Sequence, residues 1–367
     1  MKKHLRYLGI IHNISLLPKK TQLPPINLQV DVSTYCNLRC KECKRENLLP
    51  EKEINKNLSL ENFKVIFDKI KPVSVNLAAS GEPLMNPEIF EIIKYAKQNG
   101  AITIISSNQT IVKPELNKKI VLSGLDILKA SIDGANKETY EKIRGPYFDN
   151  VIKNLAEVTE LKKELKSSSP SLRIDFVVFH LNYKEMVDIL YFAKKFNINC
   201  VYYRAVDKRG WSREEIEEFY KNLDFDELKN LIKKTESEAK KLNIKTNLDL
   251  WLNNFSEVEF IYTGRTSKSV RRKICILPWF QLFVSISGET SCCCSIPPFR
   301  NVSYGNILSE DFDKVWNGEK IIKTRELFKQ KRNYSCYEGC VNCIPMSFKN
   351  ILIAADKFPR YYEKFFK

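Results

Sequence analysis

Ten of the eleven cysteines fall into two regions, 36–43 and 275–343. The first is a short loop, Thr34-Tyr35-Cys36-Asn37-Leu38-Arg39-Cys40-Lys41-Glu42-Cys43. In it Cys36, Cys40 and Cys43 follow a C-x3-C-x2-C spacing directly after a strand-like run. Three thiolates on one loop can hold three irons of a four-iron four-sulfur cluster and leave the fourth without a protein ligand. An open iron can bind and reduce a small molecule, so such a loop is a reactive centre as well as an electron carrier. The competing reading is structural zinc, which favours paired C-x2-C ligands and four of them, a pattern this spacing fits poorly. The second region begins at Cys275-Ile276-Leu277-Pro278-Trp279 and continues through Gly288-Glu289-Thr290-Ser291-Cys292-Cys293-Cys294. It closes on Cys336-Tyr337-Glu338-Gly339-Cys340-Val341-Asn342-Cys343. Only Cys200 stands apart, and it reads as a core thiol.

A repeating pattern must hold the first loop. From residue 27 onward, apolar β-branched runs alternate with amphipathic stretches of helical spacing. The strand candidates are Leu28–Val32, Val73–Ala78, Ile102–Ser106, Ile127–Ile132, Ile174–Phe179 and Cys200–Arg204. The helix candidates include Leu60–Lys71, Pro87–Asn99, Pro114–Ser123, Lys137–Arg144, Tyr183–Phe196 and Phe225–Leu242. Repeated β-then-α units imply parallel strands, because parallel neighbours need crossovers. The predicted fold class is α/β: a partial (β/α)6 TIM-type barrel followed by a small cysteine-rich domain. Polar residues stand where the strands end. Cys36 follows the first, Gly81-Glu82-Pro83 the second, Ser106-Ser107-Asn108 the third, Ser131-Ile132-Asp133 the fourth, His180-Leu181-Asn182 the fifth, and Arg204 closes the sixth. The C-terminal strand ends are where parallel α/β folds place their chemistry.

The expected organisation is a basic amphipathic segment (1–26), a core barrel (27–249), a connector (250–272), an auxiliary cysteine-rich domain (273–347) and an amphipathic tail (348–367). Within the cysteine-rich domain a hairpin is legible: Phe280–Ser285 and Thr290–Cys294 flank Ser287-Gly288. The chain has 367 residues, 43% of them hydrophobic, and a formal charge of +16. The lysines are scattered and no nucleic-acid module is present, so no nucleic-acid partner is expected. The apolar stretch Leu5–Leu17 is interrupted by His12 and Asn13 and lacks a small-residue cleavage site, which predicts a cytoplasmic protein. Clustered cysteines in a reducing compartment point to metal rather than disulfides. Both termini interleave apolar or aromatic residues with Lys and Arg. That pattern allows peripheral contact with an anionic membrane, and hence a lipid or isoprenoid substrate, against the simpler reading that both segments pack on the barrel.

The loop and the strand-end residues together, over roughly 27–210, resemble the radical S-adenosylmethionine (SAM) superfamily. The resemblance implies that Cys36, Cys40 and Cys43 bind a 4Fe-4S cluster whose open iron is chelated by SAM. Reductive cleavage then gives a 5′-deoxyadenosyl radical that abstracts hydrogen from an unactivated carbon. It assigns Glu82 to the SAM ammonium, with Gly81 allowing close backbone approach, Ser131 and Asp133 to the ribose or carboxylate region, Arg144 to the SAM carboxylate, and Asn108 and Asn182 to ribose or adenine. Asp133 has the alternative role of capping the helix near Lys137. The family's residue before the third cysteine is usually aromatic, whereas here it is Glu42. The C-terminal unit resembles the SPASM/twitch-like extension with one auxiliary 4Fe-4S cluster, implying Cys275, Cys293, Cys340 and Cys343 as ligands. Cys336 is the alternative to Cys340, and Cys292 and Cys294 are packing thiols or an alternative to Cys293. A reductant such as flavodoxin or ferredoxin, and a small-molecule, lipid or peptide substrate, would be partners. The 26 residues before the barrel are too few for a leader-binding domain, which counts against peptide modification. His180, Tyr202, Tyr203 and Asp207 are candidates at the pocket mouth, with no acid or base role assigned. The rival of another class is a non-catalytic iron–sulfur electron carrier, which would need no SAM-pocket set.

Overall fold

The computed structural model describes residues 15–77, 80–263, 274–294 and 302–330. Six strands follow one another as parallel neighbours: β1 (Asn27–Val30), β2 (Ser74–Leu77), β3 (Ile102–Ser107), β4 (Ile127–Ser131), β5 (Ser171–Val178) and β6 (Cys200–Ala205). A two-residue strand, β7 (Lys245–Thr246), extends the far edge in parallel. The crossovers carry α1 (Leu60–Ile70), α2 (Ile89–Gln98), α3 (Leu116–Leu122), α4 (Lys137–Arg144), α5 (Phe148–Glu164) and α6 (Asp188–Lys195), and α7 (Phe225–Lys241) precedes β7. This is the expected α/β architecture with the parallel sheet of a partial TIM-type barrel.

Local signals explain where helices start and stop. In α1 the Ser59 side chain accepts from the Asn62 N–H, and Phe63, Ile66, Phe67 and Ile70 bury one stripe. Asn136 caps α4 by accepting from the Thr139 N–H at 3.0 Å. That cap removes the alternative role for Asp133.

The strand register sorts side chains onto two faces. One face carries Val30, Leu77, Leu128, Ile174, Phe176 and Tyr203, all sealed from solvent. Tyr203 belongs there, its hydroxyl donating to the Met186 carbonyl at 2.7 Å, so it does not face the pocket mouth. The opposite, inner face runs through Gln29, Asn76, Ser106, Lys129, Arg173, Asp175, Tyr202 and Arg204. β5 begins at Ser171, three residues before the predicted start, because its inward Arg173 and Asp175 interrupt the apolar run.

Two further differences stand out. Residues expected to form a connector carry helix at Leu248–Leu252 and Phe255–Thr263, and the buried Tyr262 hydroxyl donates to the Val178 carbonyl at 3.1 Å. The predicted hairpin forms as β8 (Gln281–Val284) and β9 (Thr290–Ser291), turning through Gly288 at φ +91. Its first strand does not stand apart. β8 pairs in parallel with β1 and continues the barrel sheet, which reads β7-β6-β5-β4-β3-β2-β1-β8-β9. The C-terminal hairpin therefore shares an edge with the strand that delivers the first cysteine loop. Among the described residues no helix is long and apolar enough to cross a membrane. The basic segment before Ser15 and the tail after Gln330 lie outside the described residues.

Candidate active site

The chain leaves β1 through Asp31 and enters the cysteine loop, which is fastened at several points. The Arg45 guanidinium donates to the Thr34 carbonyl at 2.6 Å, the Lys41 N–H to the Ile143 carbonyl at 2.8 Å, and the Glu82 N–H to the Tyr35 carbonyl at 2.7 Å. Gly81 makes this approach possible. A Cβ there would lie 2.4 Å from the Ser33 carbonyl oxygen and 2.5 Å from that of Tyr35. The close approach expected of Gly81 is thus to the cysteine loop's own backbone.

Cys36, Cys40 and Cys43 are free thiols, the first two partly exposed and the third exposed. Burial pushes the Cys40 thiol above the usual range, opposed by the Arg144 guanidinium, and pushes Cys36 up as well, opposed first by the Leu38 N–H. Among the described residues, no three His, Cys, Asp or Glu side chains converge closely enough to hold one metal ion. Donors also face the sulfurs. Arg144 Nη1 lies 3.8 Å from Cys40 Sγ, and Asn108 Nδ2 lies 4.0 Å from Cys36 Sγ. The residues present fit a thiolate-held cluster.

The strand-end groups gather around this loop. Glu82 is buried, accepts from the backbone N–H of Asn108 at 2.7 Å and of Leu84 at 3.1 Å, and is pushed up to about 7 by burial against those hydrogen bonds. Asp133, also buried, accepts from the Val177 N–H at 2.7 Å through one oxygen. Its other oxygen takes Arg144 Nε at 2.7 Å and Nη2 at 2.5 Å. Glu42 lies 3.8 Å from Arg144, and Trp211 donates its indole N–H to the Glu42 carbonyl at 3.2 Å. Burial, with Asp133 adding to it, raises Glu42 to about 8. Ser131 ends β4 on the inner face, in register with Asp175.

Asn182 does not join as expected. Both its N–H donors are committed, to the carbonyls of Asp133 at 2.9 Å and Val177 at 2.8 Å, so it holds the loop around Asp133 and has no N–H left for ribose or adenine. Asn108 gives its N–H donors to Asn37 and the Cys36 sulfur. Of the other candidates, Tyr202 lies beneath Arg173 and Arg204, Asp207 pairs with Arg209, and His180 packs tilted against Phe179 and edge-on to Phe219. Sequence reasoning missed Asp31, a lone acid within an apolar strand, whose carboxylate accepts from the Ser80 N–H and hydroxyl, both at 2.9 Å. It also missed Lys129, Arg173 and Asp175, which the alternation of the inner face would have revealed.

In the C-terminal unit Cys275, Cys292 and Cys293 are buried and Cys294 is exposed, and Arg209 donates to the Cys294 carbonyl at 3.1 Å. Cys336, Cys340 and Cys343 lie outside the described residues.

Fold and site together define an enzyme scaffold built around a cysteine loop at the mouth of a partial barrel. Residues 30–173 match the Radical SAM superfamily, and residues 275–344 match an iron–sulfur cluster-binding domain, SPASM. The chain belongs to the radical SAM superfamily of enzymes and carries a SPASM domain at its C-terminal side. Its cofactors are therefore SAM, a SAM-binding 4Fe-4S cluster and an auxiliary cluster. Among curated relatives, an AdoMet-dependent heme synthase of Methanosarcina barkeri is 31% identical over 119 residues, 31% of this chain and 33% of the relative. A probable GTP 3′,8-cyclase of Methanocaldococcus jannaschii is 23% identical over 240 residues, 64% of this chain and 75% of the relative. The match to the heme synthase thus spans about a third of that protein's length. Among solved structures, Streptococcus suis SuiB bound to S-adenosylmethionine aligns at TM-score 0.62 and 16% identity, covering 90% of this chain and 74% of SuiB. Native anSMEcpe with bound AdoMet aligns at TM-score 0.59 and 15% identity, covering 93% and 98%. These two likenesses speak for the fold.

Proposed function

We propose that this chain reductively cleaves SAM at the cluster held by Cys36, Cys40 and Cys43, generating a 5′-deoxyadenosyl radical that abstracts hydrogen from a substrate carbon. The observation that carries the reading is the convergence of three strand ends and one helix end on one loop: Glu82 on the Tyr35 carbonyl, Asn108 beside Cys36, and Asp133 with Arg144 beside Cys40. An electron carrier needs no such set. The chain's own groups have legible tasks. Arg144 sets positive charge beside the thiolates, and Asp133 and Asn182 hold that guanidinium in place. Glu82 offers a buried carboxylate to an ammonium, and Ser131 faces the lumen where a ribose hydroxyl would lie.

Cys275 and Cys293, with Cys340 and Cys343, are the proposed ligands of the auxiliary cluster, and Cys294 stands beside them as the alternative. A peptide substrate gains support from SuiB, one of whose structures is bound to the precursor peptide SuiA. A lipid or isoprenoid substrate rests on the basic amphipathic termini. The test is anaerobic reconstitution followed by reductant and SAM, with 5′-deoxyadenosine as the readout. Intact clusters with no 5′-deoxyadenosine formed would sink the proposal. Cys36→Ala should abolish cleavage and lose about half of the bound iron, while the C-terminal unit keeps its own cluster.

A further inference from the structure

The inner face of the barrel holds a charged cluster that the chemistry above does not use. Lys129 lies on β4 two residues before Ser131, on the same face, and is paired across the sheet with Arg173. Two residues along a strand span about 7 Å, so Lys129 sits one pleat repeat deeper in the lumen than Ser131. Arg173 forks onto Asp175, Nε to Oδ1 at 2.6 Å and Nη2 to Oδ2 at 3.0 Å. Arg204, from β6, also reaches that carboxylate, Nε to Oδ2 at 2.8 Å. Both guanidinium groups lie over the Tyr202 ring, at 4.6 and 5.2 Å from its centroid. The Lys129 side chain is 97% buried, and among the described residues its ammonium has no partner within hydrogen-bond distance.

Two guanidinium groups and a lysine amine therefore surround one carboxylate on the inner face, with Lys129 buried, Arg173 nearly so and the Arg204 side chain 46% exposed. Asp175 is held well below the usual carboxylate range by Arg173, Arg204 and Lys129 and stays ionised. Burial beside the two guanidinium groups pushes Lys129 well below the usual ammonium range, so the two arginines leave one uncompensated positive charge and an arriving anion would restore the Lys129 proton as a second. Burying unpaired charge is costly, and a sheet whose inner face could have been apolar gains nothing in stability from it. The spare donors point to what would compensate it. Arg173 Nη1, both Nη atoms of Arg204 and the three N–H groups of Lys129 remain after Asp175 is satisfied. The Nη pair of Arg204, Arg173 Nη1 and the Lys129 ammonium together can take the oxygens of a carboxylate or phosphate. The aromatic floor under both arginines fixes their planes.

We propose that this cluster is the anchoring subsite for an anionic group, carboxylate or phosphate, of the substrate. It would hold the rest of that molecule upward toward Ser131 and the radical-generating site. The proposal rests on the radical SAM reading for what happens to the substrate, but the anion site itself does not depend on it. Cys294 lies near the same cations, its charge interacting with Lys129, Arg204 and Arg209. The anchored group would thus sit between the two cysteine regions, and the cations have a possible second client in the auxiliary cluster, which the experiment must separate.

The reconstituted enzyme is titrated anaerobically by calorimetry with inorganic phosphate, pyrophosphate and succinate, each against chloride at matched ionic strength. One saturable site per chain is expected for the phosphates or for the dicarboxylate, and the probe that binds assigns the headgroup. Lys129→Met and Arg204→Gln should each weaken that binding at least tenfold, while SAM affinity, measured separately, stays within twofold. Four results would overturn the proposal: no saturable anion site, anion binding untouched by both substitutions, SAM affinity falling in step with anion affinity, or an altered auxiliary-cluster potential as the variants' only effect. Failure of the wild type to cleave SAM would instead count against the radical reading, and the anion titration would remain interpretable.

Discussion

Replacing Gly81 by alanine tests whether the second strand end is built to support the cysteine loop. The new methyl carbon would meet two carbonyl oxygens, of Ser33 and Tyr35, at 2.4 and 2.5 Å, and the Thr34 carbonyl carbon at 2.9 Å. All three are backbone atoms, so no flexible side chain can move aside. Real contacts to a Cβ stay above 3.0 Å, which forces the loop or the turn to move by at least half an ångström. The same shift strains the Glu82 N–H bond to the Tyr35 carbonyl, now 2.7 Å. Overpacking costs about 1–3 kcal/mol, and a weakened buried hydrogen bond about 1 more. The expected loss is about 3 kcal/mol, close to a 6–10 °C fall in Tm for a domain of this size. Gly124→Ala is the control. There φ is +81 and the nearest atom is a lysine side-chain carbon at 3.4 Å, so the cost is local strain of about 1–2 kcal/mol with no cysteine nearby. Anaerobic thermal denaturation combined with iron analysis separates the two. Gly81→Ala should lose stability together with the N-terminal cluster, and Gly124→Ala should lose stability alone. A Gly81→Ala protein with full iron content and an unchanged cluster spectrum would refute the argument.

Asp31 is buried and pushed up to about 7 from 3.8 by that burial, with its Ser80 hydrogen bonds opposing. A raised acid contributes stability that is full below its unfolded value and lost as pH rises through the folded one. Wild type should therefore lose about 1 kcal/mol from this group between pH 6 and 8.5, and Asp31→Asn should not, as denaturant titration at both pH values would show. Asp133→Asn strips Arg144 of its close counter-charge while keeping the Val177 bond. A loss of about 3 kcal/mol and at least a tenfold fall in SAM affinity are expected by melting and equilibrium binding. Arg325 is fully buried, donates to the carbonyls of Pro278 and Lys19, both at 3.0 Å, and lies over the Trp316 ring. Arg325→Ala should cost about 3 kcal/mol by leaving those carbonyls unpaired, and 5′-deoxyadenosine formation below the new Tm should stay near the wild-type rate.

What was legible in the sequence follows from how each element earns its stability. β1 to β4 and α1, α2 and α4 announce themselves because burial, period and caps agree, as in Ser59 ahead of Phe63, Ile66, Phe67 and Ile70. The strand-end residues were legible because polar side chains directly after apolar runs are conspicuous. The lumen was not. Arg173 and Asp175 read as breaks in a strand, yet their charges are satisfied by each other and by Arg204, partners that only the register of β5 and β6 supplies. The parallel pairing of β8 with β1 was equally hidden, because a hairpin signal reports its own turn and not the sheet edge it joins. Asn182 shows the converse. Its type and position suit a ligand contact, but its hydrogen bonds are spent on the chain.

Arg144 was expected to offer a fork to the SAM carboxylate, and its actual partners constrain how that can happen. Nε and Nη2 are already committed to Asp133, and Glu42 stands 3.8 Å away on the same side. Only Nη1 turns toward the cysteine loop, 3.8 Å from the Cys40 sulfur. A carboxylate arriving there meets one donor rather than two, and it meets the field of two acids grouped around one guanidinium. Glu42, where the family favours an aromatic residue, is held protonated by burial up to about pH 8, and above that pH its charge works against an incoming anion. Its indole neighbour Trp211 touches the backbone carbonyl and does nothing to neutralise the side chain. Glu42→Gln keeps the size of the side chain and removes the competing charge. At pH 9, where Glu42 is ionised, SAM affinity in equilibrium binding should rise several-fold, since about 1 kcal/mol of like-charge repulsion at this separation corresponds to roughly fivefold, and at pH 6.5, where it is already neutral, affinity should change little. The rise should shrink little with added salt, because both acids are shielded from solvent. A fall in SAM affinity on Glu42→Gln would mean that the carboxylate holds Arg144 in its working position, and the repulsion argument would be wrong.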